Sequence, residues 1–239
     1  MAYQTIFKRY ELKYIITKAQ KEYIQNKISE YMTPDSYGRS TVRNIYFDDD
    51  TYRLIRHSIE KPAYKEKLRI RSYKRAGDED TVFVELKKKY KKVVYKRRIS
   101  LPEAKAMAWL EGRTPAPIDT QITREIDYFM SFYSPLSPKV FLSYDREAYY
   151  GKDDPGFRVT FDDNILCRRH DISLSSEVGG VPILDDDHVL MEIKCSGGIP
   201  LWMTEILSEN KIYKTSFSKY GTAYSTLIFP ELSEDNTNA

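Results

Sequence analysis

The sequence predicts an α+β fold whose strands carry one charged and one apolar side, and two observations lead there. In "AYKEKLRIRSY", residues 63–73, Lys65, Lys67, Arg69 and Arg71 stand at every second position with Leu68 and Ile70 between them. Alternate side chains of an extended chain leave by opposite faces, so this segment has a cationic face and an apolar one. The second observation is where the charge lies. Residues 61–98 hold 15 Lys and Arg against 5 Asp and Glu, a local +10, and a total of +3 over 239 residues leaves the rest of the chain at −7. Cations concentrated in one 38-residue stretch call for a polyanionic partner: nucleic acid, a membrane surface or phosphate compounds.

The elements follow in order. Residues 5–16, "TIFKRYELKYII", alternate as a strand with Arg9, Glu11 and Lys13 opposite Tyr10, Leu12 and Tyr14. Thr17 and Gln20 have the spacing of a capping box and open a helix to about Met32, with Tyr23, Ile24, Ile28 and Tyr31 on its inner stripe. "STVRNIYFDD" is a strand and "TYRLIRHSI" a short helix; the 63–73 strand comes next, then a turn at 75–80. "TVFVELKKK" sets Val82, Val84 and Leu86 against Phe83, Glu85, Lys87 and Lys89, and a tight turn leads to "KKVVYKRRIS". Pro102 starts a helix through Trp109, and "TQITREIDYFMSFY" forms another. Three further strands, "KVFLSYDREAYY", "FRVTFDD" and "HVLMEIKCS", repeat the division of faces; "PLWMTEILSEN" and "SKYGTAYSTLI" are helical, and the acidic end from Glu231 is expected to be disordered.

Composition limits the function classes. The hydrophobic fraction of 41% suits a globular core, and no apolar run approaches the roughly 20 residues that span a bilayer. Charges near the start stand where a signal peptide would be apolar, so a cytoplasmic protein is expected. Cys167 and Cys195 lack metal-ligand or redox spacing and are expected to be small buried residues. Sequence-specific RNA binders interleave exposed aromatics with cations, whereas the Tyr residues here fall mostly on apolar faces; no nucleic acid is expected.

Eight strands with an ionic face admit two arrangements. The ionic faces look outward as a solvated surface, or they line the lumen of a closed barrel with helices outside, where eight strands suffice to hold a small ligand. A lumen full of cations requires an anion, and phosphate suits both Arg forks and Lys point charges. Single carboxylates among them, Glu11, Glu85 and Glu192, suit a divalent metal bridging phosphate oxygens.

The ordered segments "FKRYELKY", "NIYFD", "KLRIRSY", "VFVELKKK", "YDREAYY", "FRVTFD", "LMEIK" and "FSKYG" resemble the VTC domain, the polyphosphate polymerase module of the triphosphate tunnel metalloenzyme, or CYTH-like, superfamily. The resemblance implies a closed eight-stranded antiparallel β-barrel tunnel over residues 1–230, followed by the acidic tail 231–239. It also implies transfer of the γ-phosphoryl group of ATP to a growing polyphosphate chain with Mn²⁺ or Mg²⁺. By that resemblance Lys13, Arg69, Arg71, Lys87, Arg146, Arg158 and Lys219 are phosphate ligands of the catalytic centre, and Glu192 is the metal ligand. Arg9, Lys67, Lys96, Arg98 and Lys194 are added as substrate-binding residues, Lys96 and Arg98 being preferred to Arg97 by alternation.

Hydrolase and cyclase members of the superfamily begin with Glu-x-Glu-x-Lys, but this chain has Arg9-Tyr-Glu11-Leu-Lys13, which favours the polymerase branch. A tunnel triphosphatase, with Glu11 or Glu85 as second carboxylate, and a non-catalytic polyphosphate- or nucleotide-binding module are the alternatives. No phosphate-sensing or membrane domain is expected within the chain, so a membrane-protein partner would lie beyond it.

Overall fold

The computed structural model describes residues 10–91 and 93–237. In chain order the elements are β1 (Tyr10–Thr17), α1 (Lys18–Ile28), β2 (Met32–Pro34), β3 (Ser40–Asp48), α2 (Arg53–Ile59), β4 (Tyr64–Ser72), β5 (Thr81–Tyr90) and β6 (Val93–Pro102). Then come α3 (Glu103–Leu110), α4 (Gln121–Phe132), β7 (Ser137–Gly151), β8 (Arg158–Arg168), β9 (Val181–Pro182), β10 (His188–Cys195), α5 (Leu201–Glu209) and α6 (Lys219–Ala223). A π-helical turn, Tyr224–Ile228, joins α6 to α7 (Phe229–Thr237). No described helix is long and apolar enough to cross a membrane.

The eight long strands form one antiparallel ladder in the order β1-β10-β8-β7-β3-β4-β5-β6, with β2 added to β7 and β9 to β8. Among the described residues β1 and β6 are not paired, so the sheet is not the hydrogen-bonded closed barrel expected from sequence. The free edge of β1 is used instead by the segment before α6, where the Thr215 amide donates to the Lys13 carbonyl at 2.7 Å. The sheet is nonetheless strongly curled: Lys87 of β5 reaches Glu11 of β1 at 3.2 Å across the concave side.

Alternation places the apolar residues on the convex face. Val82, Val84, Leu86, Leu68 and Ile70 are wholly buried against α3 and α4, with Trp109, Ile126 and Phe129 as the helical contribution. Each such side chain stabilises by about 1.5–3 kcal/mol relative to exposure. Tyr14, Ile16, Val159, Phe161, Met191 and Ile193 pack in the same way on α1 and α5. A third cluster lies on the ionic side: Val42, Tyr46, Leu142 and Leu190 meet Ile55 of α2, Tyr220 of α6 and Ile228. The expectation that the helices all pack outside is therefore corrected. One end of the ionic face carries apolar residues, and α2 and α6 cover them.

Two boundaries also differ. The Thr17–Gln20 capping box is present, but α1 stops at Ile28 and Met32 is buried in β2 rather than ending a helix. Residues 231–237, expected to be disordered, belong to α7; Arg169 holds Glu231 at 2.6 Å.

Candidate functional site

Register brings the sequence-predicted residues together in rows across the concave face. Lys13 pairs with Glu192 and Glu192 with Thr160; Glu11 pairs with Lys194 and Lys194 with Arg158. Arg146 is opposite Asp162. On the other wall Arg69 pairs with Glu85 and Glu85 with Arg98, while Lys67, Lys87 and Lys96 form the neighbouring row. Arg71 is opposite Asn44. Lys219 enters from α6 rather than from a strand, and Arg9 lies outside the described residues. Arg97 points to the convex side, where Glu125 of α4 receives it at 3.0 Å, and Lys96 and Arg98 share the concave side.

Two acidic centres organise the cations. Glu85, 1% exposed, accepts hydrogen bonds from Arg69 Nε at 2.8 Å and Arg98 Nε at 2.7 Å, and forms ion pairs with Arg69 Nη2 at 2.7 Å and Lys96 at 2.6 Å. Burial disfavours its charge, yet Arg69, Arg71, Lys96 and Arg98 hold its carboxyl well below the usual range. Tyr46 receives Arg69 Nη1 at 2.9 Å, while Asn44 and Tyr144 receive Arg71 at 2.9 and 3.0 Å, which fixes both guanidiniums.

The second centre joins Asp162 and Glu192. Asp162 is fully buried, takes a bidentate fork from Arg146 at 2.6 Å on each oxygen, and receives Lys219 at 2.5 Å. Glu192 is looser: Lys194 is 3.2 Å away, Lys13 3.3 Å, and Lys219 and Arg146 3.8 Å. Burial again opposes ionisation, and Lys194, Lys13, Lys219 and Arg146 outweigh it, so the Glu192 carboxyl is also well below its ordinary value. Lys13 is held from behind by the Phe217 carbonyl at 2.8 Å.

Lys67 stands among like charges. Its amine donates to Ser218 Oγ at 3.1 Å, and burial together with Lys65, Lys87, Lys13 and Arg69 pushes it down to about 7. Nearby Lys65 is lowered by burial and by Lys89, Lys87 and Lys61.

Among the described residues no three or more His, Cys, Asp or Glu come together as a ready metal site. The donor chemistry nevertheless suits a divalent ion shared with phosphate. Glu192 accepts no hydrogen bond among the described residues, and Glu11 is its diagonal neighbour on β1. Hard ions of this kind take one or two carboxylates and complete their shell from phosphate and water oxygens. Glu85, saturated by three cations, does not fit that role.

Sequence reasoning did not single out Asp162, Asn44, Tyr46, Tyr144 or Ser218. Alternation placed Asp162 on a face with Arg158 and Thr160, and that was its only signal. The other four matter through contacts between distant strands, which spacing does not report.

An antiparallel sheet curled around a cation-rich face, with helices on its back, is the fold of the triphosphate tunnel, or CYTH-like, proteins. The VTC domain family model matches residues 8–228, and the chain belongs to that family. Among solved structures, a candidate adenylate cyclase from Bacillus halodurans is 16% identical with a TM-score of 0.57, over 90% of this chain and 96% of that one. Another candidate adenylate cyclase, from Vibrio parahaemolyticus, is 10% identical with a TM-score of 0.49, over 92% and 98%. The Bacillus likeness is one of fold alone. No curated protein matches the chain.

Proposed function

We propose that this protein is a metal-dependent polyphosphate polymerase that transfers the γ-phosphoryl group of ATP to a growing polyphosphate chain along the concave face. The observation that carries the reading is the gathering of Lys13, Arg69, Arg71, Lys87, Arg146, Arg158, Lys194 and Lys219 on one concave face, with one loosely held carboxylate, Glu192, among Lys13, Arg146, Lys194 and Lys219. Membership of the VTC family supports it.

Phosphoryl transfer asks for in-line placement and neutralised charge rather than covalent chemistry by the protein. The terminal phosphate of the acceptor is already an anionic nucleophile, so no general base is needed. Its oxygen bonds to the γ-phosphorus as the bond to the β–γ bridging oxygen breaks, and ADP leaves with that electron pair. Arg69 and Arg71, fixed by Tyr46, Asn44 and Tyr144, hold phosphate oxygens as forks; Lys13, Lys87, Lys96 and Lys219 act as point charges. Arg158, Lys67, Arg98 and Lys194 extend the same basic track. Mn²⁺ or Mg²⁺ held by Glu192, with Glu11 beside it, would supply further charge neutralisation on the phosphate oxygens.

One observation favours a second reading. Glu11 next to Glu192 provides the second carboxylate that a triphosphatase needs to activate water. Incubation of the purified protein with ATP and Mn²⁺ separates the possibilities: long polyphosphate with ADP supports the polymerase. Free phosphate without polymer moves the protein to the hydrolases. Intact ATP moves it to the binding modules.

A further inference from the structure

Phe83 and Tyr73 are out of place by the rules that position the other aromatics. Both lie at the concave end of the β4–β5 pair, among arginines, and neither joins any of the three hydrophobic clusters. Tyr73 is 43% exposed. Its ring meets Phe83 edge-on at 5.7 Å, the Arg98 guanidinium stacks on Phe83 at 4.4 Å, and Arg98 Nη2 donates to the Tyr73 hydroxyl at 3.0 Å. Arg71 is 5.9 Å from the Tyr73 ring centre. Arg98 is 6.0 Å from the same centre, so the ring is oriented before anything binds while remaining partly exposed.

The opposite wall is built alike. Arg158 lies over Tyr150 at 4.8 Å, and Tyr73 is near enough to Tyr150 to influence its ionisation. Arg158 Nε is buried without a hydrogen-bond partner among the described residues. A buried guanidinium donor left unpaired costs stability unless a ligand supplies the acceptor.

An occupant of this end must offer a flat π-surface to Tyr73 and negative oxygens to Arg71, Arg98 and Arg158. We infer that Tyr73 and Phe83 form the base-stacking shelf of a nucleoside triphosphate site, with the triphosphate running from Arg98 and Arg71 inward along β4 and β5. The inference rests on the nucleotide-dependent reading above and adds a direction: the nucleoside stays at the Tyr73 end. Stacking on an aromatic ring and arginine planes is indifferent to base identity, so purine nucleotides should be accepted alike.

The test is binding, with no turnover required. A 2-aminopurine riboside triphosphate should lose fluorescence on wild-type protein and recover it when ATP displaces the probe. Tyr73→Leu should weaken ATP about tenfold while inorganic triphosphate changes by less than about twofold. Tyr73→Phe, which keeps the ring, should retain ATP affinity. An unquenched probe on the wild type, or a Leu variant in which ATP and inorganic triphosphate change together or ATP does not change, overturns the shelf. Phe83→Leu is a second variant with the same expected selectivity, and triphosphate binding certifies the fold of each. Absence of polymer with these binding results intact would defeat the polymerase reading and leave the shelf standing.

Discussion

Glu85 and Glu192 are both buried carboxylates among cations on one face of one sheet, yet they are held in opposite ways. Glu85 is held by three cations at 2.6–2.8 Å, which together cover both of its oxygens. The cation nearest Glu192 is 3.2 Å away. Charge and burial are nearly the same at the two sites, and only the distances separate a carboxylate that is spent on structure from one free to meet a ligand. The first fixes the wall; the second faces the work.

Exchanging the carboxylate for an amide at each site is the sharpest way to test that contrast. Glu192→Gln should give the largest effect on turnover: transfer from ATP lost at every metal concentration, with a folded protein that still binds polyphosphate. Synthesis at a normal rate would put Glu192 in the same class as Glu85. The conservative double change Arg69→Lys/Arg71→Lys comes next. An ammonium cannot reproduce the fork or keep both partners, so turnover should fall by about tenfold or more, as loss of one or two charge-assisted bonds implies. Retained activity would mean that only a diffuse positive field matters.

Glu85→Gln should act on the fold. It strands Arg69, Lys96 and Arg98, but Lys96 and Arg98 are partly exposed, so the loss should be about 2–3 kcal/mol, below that of a fully buried pair. In a chain of this size that lowers Tm by roughly 5–10 °C, read by a thermal melt. The pH dependence carries the same signature. A carboxyl held below its unfolded value of 4.5 contributes stability that is complete above that pH and is lost as pH falls below it. The acid limb of wild-type unfolding should therefore be steeper than that of Glu85→Gln.

The smallest effect belongs to Lys67. Its amine titrates near 7, and an arriving anion favours the charged form. Triphosphate binding should take up a proton above that pH and weaken as pH rises, by at most about tenfold per unit. Calorimetry in buffers of different ionisation enthalpy checks it; no proton uptake in the wild type, or equal uptake in Lys67→Met, removes Lys67 from the account.

Much of this was legible in the sequence because a strand has a period of two. "KLRIRSY", "VFVELKKK" and "YKRRIS" each declare which residues share a face, and Arg97 was separated from Lys96 and Arg98 on that ground alone. Sequence periodicity does not say which carboxylate is saturated, since Glu85 and Glu192 look alike between their neighbours. Alternation did set Leu142 on the face of Arg146, but it did not reveal that Leu190 and Val42 join it to make part of the ionic face apolar, so the covering of that end by α2 and α6 was missed. β2 was missed because three residues after a helix carry too little pattern to distinguish a strand from a fraying turn. The capping of the β1 edge comes from Thr215, some two hundred residues from its partner Lys13.

The open edge of β6 has a consequence beyond ligand binding. Among the described residues β6 is paired on one side only, which leaves its other row of amides and carbonyls as a template for a strand from another molecule. Lys96, Arg97 and Arg98 stand in succession there, and Pro102 ends the strand. Two copies approaching edge to edge would bring those cations against each other, so the chain resists aggregation along β6 with some of the same residues that it turns toward phosphate.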